Sequence, residues 1–283
     1  MTLQPAVSSV RVGDIDIAYR FNGPQDAPVV LLSHGIMTTH GIWDRLMPYL
    51  QGQWRILRYD LRGHGASSAS QPSYAMTTLA DDAVGLLDVL KIEKAHFIGS
   101  SLGGMIGQQV GAKYGQRLLS LTLANTTARQ GTVQAWTERI ALARKSGLTP
   151  ILEPTLQRWF TQGLFASEPT LMTQMRQLMQ QTSLQGFLGC AAAVRDLAQT
   201  DLLASITVPT LILAGEQDTA TPMSDAIALQ QGIKNAKLVA FPVAHQSAVE
   251  CPEAFATAWR KFQAELAPNN MLRKIINTTG DYK

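Results

Sequence analysis

The stretch Ala95-His96-Phe97-Ile98-Gly99-Ser100-Ser101-Leu102-Gly103 constrains this fold more than any other segment. An apolar run of strand type reaches a serine flanked by glycines and passes at once into Met105-Ile106-Gly107-Gln108-Gln109-Val110, which reads as a helix. Turning a strand into a helix this sharply brings the two backbones together, so only residues without bulk fit two before and two after the serine. The serine itself is driven toward positive φ, a conformation that costs energy and is retained mainly at functional sites. The segment therefore predicts a G-x-S-x-G elbow that lifts Ser101 above the carboxyl edge of a sheet.

A serine hydroxyl is a weak nucleophile and needs a base, which in turn needs an orienting group. Pro209-Thr210-Leu211-Ile212-Leu213-Ala214 reads as a buried strand and runs into Gly215-Glu216-Gln217-Asp218, placing Asp218 on a loop at the strand's carboxyl end. Lys237-Leu238-Val239-Ala240-Phe241 reads as another strand, and the loop after it carries His245. The order Ser101, Asp218, His245 resembles that of the α/β-hydrolases and differs from the chymotrypsin and subtilisin orders. The competing readings are a helix cap near Pro222 for Asp218 and an ordinary loop residue for His245.

Other segments complete an α/β pattern. Val10 to Phe21 predicts an N-terminal hairpin about Gly13-Asp14, and Val29 to Ser33, Trp54 to Tyr59 and Leu118 to Ala124 predict buried strands. Met76 to Leu90 places Leu79, Ala83, Leu86, Leu87 and Leu90 on one helical stripe. Alternation of this kind predicts a mainly parallel central sheet flanked by helices. Between residues 127 and 204 it stops, leaving four helical stretches: Trp136 to Arg144, Ile151 to Phe160, Leu171 to Met179 and Phe187 to Ala198. The domain expectation is thus a core of 1–126 and 205–267, an inserted helical cap of 127–204, and a tail of 268–283 whose Asp281-Tyr282-Lys283 resembles the start of an epitope tag. Most of the cap's large apolar residues pack its helices, and a minority, with Trp136 and Trp159 as candidates, line a substrate pocket.

Composition narrows the function classes. The chain has 283 residues, 46% of them hydrophobic, and a net charge of +3 too dispersed to suggest nucleic acid as a partner. No apolar run suits a membrane span, no signal peptide is read at the start, and Cys190 and Cys251 form neither a disulfide framework nor a metal motif. The expectation is a cytoplasmic enzyme of small molecules that uses no metal or organic cofactor; oligomeric state is not legible. Of the remaining histidines, His96 reads as a satisfied core residue, His64 as a maker of structural hydrogen bonds in its Gly-rich loop, and His40 as a residue without a recognisable partner.

A closer likeness rests on Arg58-Tyr59-Asp60-Leu61-Arg62-Gly63-His64-Gly65-Ala66-Ser67, on Ser101 to Gly107, on Ala124-Asn125-Thr126 and on Arg158-Trp159-Phe160. Ala192-Ala193-Val194-Arg195-Asp196, Ala214 to Pro222, and His245 with Val249 to Phe255 extend it over roughly residues 10 to 265. These segments resemble the 3-oxoadipate enol-lactone hydrolases (β-ketoadipate enol-lactonases). The resemblance implies opening of a small enol-lactone in aromatic catabolism, through an acyl-enzyme, with Ser101, Asp218 and His245 as triad. It also implies an oxyanion hole of two backbone N–H groups, by position those of Ile36 and Leu102, with Met37 as an alternative to Ile36. The loop Ser33-His34-Gly35-Ile36-Met37 departs from the family's Ser/Asn-Leu-Gly and is closer to broader esterases. A general carboxylesterase or another lactonase with perhydrolase side activity is therefore the first alternative, and a catalytically inactive binding or receptor member of the fold the second. The acetate arm of an enol-lactone would need a cation, for which Arg139 and Arg195 are the candidates; a solvated arginine on a helix surface, or an ion pair with a neighbour such as Glu138 or Asp196, is the competing reading.

Overall fold

The computed structural model describes residues 6–266 apart from 51, 73, 130 and 132. The tag-like tail 268–283 lies outside the described residues. The chain opens with the expected hairpin, β1 (Ser8–Val12) and β2 (Ile15–Asn22) about Gly13, and continues through β3 (Val29–Ser33), α1 (Met47–Leu50), β4 (Arg55–Tyr59) and α2 (Met76–Val89). The elbow joins β5 (Ala95–Ser100) to α3 (Leu102–Lys113), and β6 (Leu118–Ala124) follows. After a helical block come β7 (Thr210–Gly215), α9 (Met223–Gly232), β8 (Lys237–Phe241), α10 (Ser247–Glu250) and α11 (Pro252–Leu266). The block itself consists of α4 (Val133–Ser146), α5 (Thr149–Trp159), α6 (Gln162–Ser167), α7 (Pro169–Gln180) and α8 (Leu184–Arg195).

The strands form one sheet in the order β1-β2-β4-β3-β5-β6-β7-β8, antiparallel at β1, β2 and β4 and parallel from β4 to β8. Parallel strands must be covered on both faces, and β3, β5 and β7 are buried throughout, with α3 packed on β5 and β6. The order in which successive strands are laid down switches sides between β3 and β5, β4 lying on one side of β3 and β5 on the other. The crevice at such a switch, beyond the carboxyl ends of the strands, is where open α/β sheets bind ligands. Both the Ser101 turn and the loop 34–39 emerge there.

His96 lies within β5 as a core residue, its Nδ1 2.8 Å from Ser120 Oγ and its ring edge-on to Trp54 and Trp259. Burial lowers its pKa to about 4. The helical block contains one helix more than the four expected stretches: α6 is six residues long and too short to carry a period. At the neck of the block an isolated bridge joins Arg129 to Ala198, and Gln199 N–H donates to Ala128 C=O at 2.7 Å. At its far side, Ser183 N–H donates to Gly63 C=O at 2.9 Å, and the backbones of Gly63 and Gly186 meet so closely that a Cβ on Gly63 would lie 2.2 Å from Gly186 Cα.

Candidate active site

Ser101 caps α3 with φ 54° and ψ −117°, the strained conformation that the tight turn requires. A Cβ on Gly99 would lie 2.1 Å from Gly103 C=O, and one on Gly103 2.0 Å from Ser33 C=O, so both positions exclude a side chain. Hydrogen bonds fix the turn: Ser101 N–H donates to Ala124 C=O at 2.9 Å, and Thr126 Oγ–H donates to Ser101 C=O at 2.7 Å.

Asp218 follows the end of β7, where its carboxylate is buried and fully engaged. Its Oδ1 accepts the Ala220 and Thr221 amides at 2.8 and 3.0 Å. Its Oδ2 accepts the Thr221 hydroxyl at 2.7 Å, the Asn125 amide at 3.2 Å and His245 Nδ1–H at 2.7 Å. Burial alone would raise the Asp218 pKa, but His245 and the Thr221 donors outweigh it and hold the carboxyl at about 2. Asp218 therefore belongs to a loop-and-histidine network rather than capping α9, whose N-cap is Pro222. Asn125, at the end of the neighbouring strand β6, stands in the sequence only within a family-like segment and not among the candidate site residues. Its signal is a polar side chain one residue past a buried strand, in a left-handed conformation (φ 45°) that asparagine tolerates.

The loop after β3 is held by two histidines. His34 Nε2 accepts Leu61 N–H at 3.0 Å and His64 Nε2 accepts Met37 N–H at 3.2 Å, which requires both imidazoles to be neutral with the proton on Nδ1. Each Nδ1–H then meets a backbone carbonyl, Gly35 for His34 and Arg62 for His64. Burial, assisted by His64, brings His34 down to about 3, and burial brings His64 to about 4. Met37 is thereby removed as the alternative oxyanion donor, because its N–H is already committed. The loop also runs against the elbow, since a Cβ on Gly35 would lie 3.2 Å from Ser101 Cβ. Leu102 is the first residue of α3, where a helical N–H has no carbonyl one turn back to accept it. His40 does have a partner, contrary to the sequence reading: its Nδ1 lies 2.8 Å from Asp60 Oδ1, which also accepts its amide at 2.7 Å.

A cavity of about 220 Å³ brings Ser101 and His245 together with Ile36 and Leu102. From the helical block, Trp136, Arg139, Arg158 and Trp159 line it. The Arg139 guanidinium lies 4.8 Å over the Trp136 ring and donates to Thr155 Oγ at 2.9 Å, while its buried Nε has no partner. Burial, reinforced by the charge of Arg158, lowers Arg139 to about 10. Among the described residues no carboxylate pairs with Arg139 or Arg158. Arg195 is corrected: it ends α8 beside the lining residue Val194, lies outside the cavity, and pairs with Asp196 through two 2.7 Å contacts. Arg158, in turn, stands in the sequence only within a family-like segment and not among the candidate site residues. Trp159 stacks on His245, with centroids 6.3 Å apart and planes 29° from parallel.

The family model described as alpha/beta hydrolase fold matches residues 28–250. Over 242 residues the chain is 34% identical to 3-oxoadipate enol-lactonase 2 of Acinetobacter baylyi, covering 86% of this chain and 91% of that protein. Among solved structures, a hydrolase from Pseudomonas aeruginosa is 38% identical with a TM-score of 0.88, covering 91% of this chain and 98% of its own. The enol-lactonase from Burkholderia xenovorans is 31% identical with a TM-score of 0.89, covering 91% of this chain and 100% of its own. With the elbow, the sheet order and these likenesses together, the chain belongs to the alpha/beta hydrolase fold family, as a hydrolase of carboxylic esters or lactones.

Proposed function

We propose that this hydrolase opens a small lactone bearing a carboxylate, of the 3-oxoadipate enol-lactone type, with Ser101 as nucleophile, His245 as general base and Asp218 as its orienting group. The helical block 127–204 serves as a cap that supplies the substrate pocket. Ser101 Oγ attacks the ring carbonyl while His245 takes its proton, and the N–H groups of Ile36 and Leu102 receive the developing oxyanion. The ring C–O bond then breaks and His245 returns the proton to the leaving oxygen, which stays tethered as an enol and becomes a ketone. Water, deprotonated by His245, cleaves the acyl-enzyme and leaves a dicarboxylate. Asp218 stays ionised throughout, in keeping with its depressed pKa.

The observation that carries the substrate class is the cationic end of the cavity. Two arginines that pair with no carboxylate among the described residues share a pocket with the nucleophile: Arg139, half-buried with its Nε enclosed and unpartnered, and Arg158, exposed beside it; an enclosed guanidinium nitrogen is costly to leave uncompensated. A substrate carboxylate satisfies both, and arginine suits it through paired N–H donors. The relatives named as enol-lactonases support the same reading. The experiment compares 3-oxoadipate enol-lactone with its neutral methyl ester in the wild type and in Arg139→Met and Arg158→Met. The proposal expects KM for the anionic lactone to rise at least about tenfold in Arg139→Met, the order of one lost charged hydrogen bond, with the neutral ester nearly unaffected. Equal losses on both substrates, or none, would favour a general carboxylesterase instead.

A further inference from the structure

Glu250 has a role that the triad leaves open. It closes the short helix α10, five residues after His245, and no Lys or Arg among the described residues pairs with it. Its carboxylate instead gathers neutral donors from two separate parts of the molecule. From the helical block it accepts the Thr161 amide, at 3.3 Å on Oε1, and the Thr161 hydroxyl. From the loop that carries His245 it accepts the Ala244 amide at 3.3 Å on Oε2. A second tie crosses the same seam, because Gln246 N–H donates to Trp159 C=O at 3.2 Å.

These bonds enclose His245. On one side Ala244 has its N–H held by Glu250 and its carbonyl held by Asn125 Nδ2 at 3.2 Å. On the other side the Gln246 N–H is held by Trp159. The imidazole between them is buried, with Asp218 at Nδ1 and the Trp159 ring stacked against its face. Asp218 fixes one atom of the ring, and the stacking fixes its plane. The stacking holds only while the segment Trp159–Thr161 stays in place against the His245 loop, and Glu250 is the side chain that spans the two.

We propose that Glu250 is a positioning residue, which ties the Trp159–Thr161 segment of the helical block to the His245 loop and so sets the orientation of the imidazole. The inference rests on the reading of His245 as general base. It also makes Trp159 a joint element, lining the pocket on one edge and orienting the base with its face. A ring tilted away from Ser101 leaves the other lining residues in place to bind substrate, so the effect falls on turnover far more than on affinity; misplacement by about 1 Å costs on the order of 10²-fold.

The test measures kcat and KM on a neutral ester and thermal melting for Glu250→Ala, Glu250→Gln, Thr161→Val and Trp159→Ala, with His245→Ala as control. In Glu250→Ala, assayed well below its melting temperature, kcat is expected to fall about 10- to 100-fold, with KM within about threefold of wild type. Glu250→Gln, which keeps one acceptor oxygen, is expected to fall between Glu250→Ala and wild type. In the Trp159→Ala background the same Glu250→Ala change is expected to cost much less, because the element it acts through is gone. Should Glu250→Ala fail to fold, Thr161→Val removes a single donor and is expected to give a smaller kcat loss in the same direction. Melting temperatures that drop with kcat unchanged in the folded variants, or losses that add independently with Trp159→Ala, would overturn the proposal. Turnover retained in His245→Ala would instead overturn the triad reading on which it rests.

Discussion

Asp218 accepts five hydrogen bonds, and their donors rank the residues around it. Alanine at Ser101, Asp218 or His245 is expected to cut turnover by orders of magnitude, and a double replacement to cost little more than the worse single one, because the three act as a unit. Steady-state kinetics on any accepted ester checks both points. Asn125→Ala removes one bond to the Asp218 carboxylate and one to the Ala244 carbonyl. A hydrogen bond to a charged group contributes about 1.5–3 kcal/mol, so kcat should fall about tenfold or more; a loss confined to KM would place Asn125 outside this network. At this scale the sequence was legible in placement: Ser101, Asp218 and His245 stand just beyond the ends of β5, β7 and β8, where the strand pattern put them. It was not legible for the arginines. Arg139, Arg158 and Arg195 all sit on helices of the block, and which side of a helix meets the cavity is decided by how the helices pack, information that no local pattern holds. Arg195 and Asp196 are neighbours in the chain and found each other.

The elbow and the loop beside it depend on backbone proximity, so small changes there should act at full strength. Gly103→Ala would push a methyl to 2.0 Å from the Ser33 carbonyl oxygen, an atom of a buried strand that cannot yield. The variant is expected to lose activity and stability, whereas Gly163→Ala in α6, with open space around its Cβ, should melt like the wild type. His64 tests the proposal that the loop after β3 supplies an oxyanion donor. His64→Leu releases the Met37 amide that now fixes the turn next to Ile36, and kcat is expected to fall by up to ~10²–10³, the cost of one oxyanion donor, with KM little changed. Element boundaries in the sheet were legible because buried parallel strands read as apolar runs ended by turn residues; β3 and β6 fall where the sequence put them, and so does β8, an edge strand with only Phe241 buried. Helix α6 was missed because six residues hold too few turns to show a period.

Across the whole molecule, three neutral histidines are buried in two places: His34 and His64 together at the loop after β3, and His96 in the core against Trp54 and Trp259. Each has its folded pKa depressed, from 6.5 to about 3 or about 4. Below pH 6.5 the unfolded chain takes up these protons while the folded chain does not, so stability is lost as pH falls from 6.5 toward 4. Asp218, depressed to about 2, adds a further loss below its ordinary 3.8. The melting temperature should therefore decline on acidification well before the carboxylates titrate, and a flat profile between pH 6.5 and 4.5 would contradict the buried neutral histidines. The architecture was readable as a whole because alternation of strand and helix admits few topologies; the seam between the helical block and the sheet, where Trp159 meets His245, was not, since its partners lie far apart in sequence. The claim on which everything else depends is that Ser101 carries the acyl group. Labelling with a fluorophosphonate, followed by peptide mass analysis, should give one adduct per chain on the peptide containing Ser101, abolished in Ser101→Ala and slowed in His245→Ala. An adduct on any other residue, or its persistence in Ser101→Ala, would contradict the account.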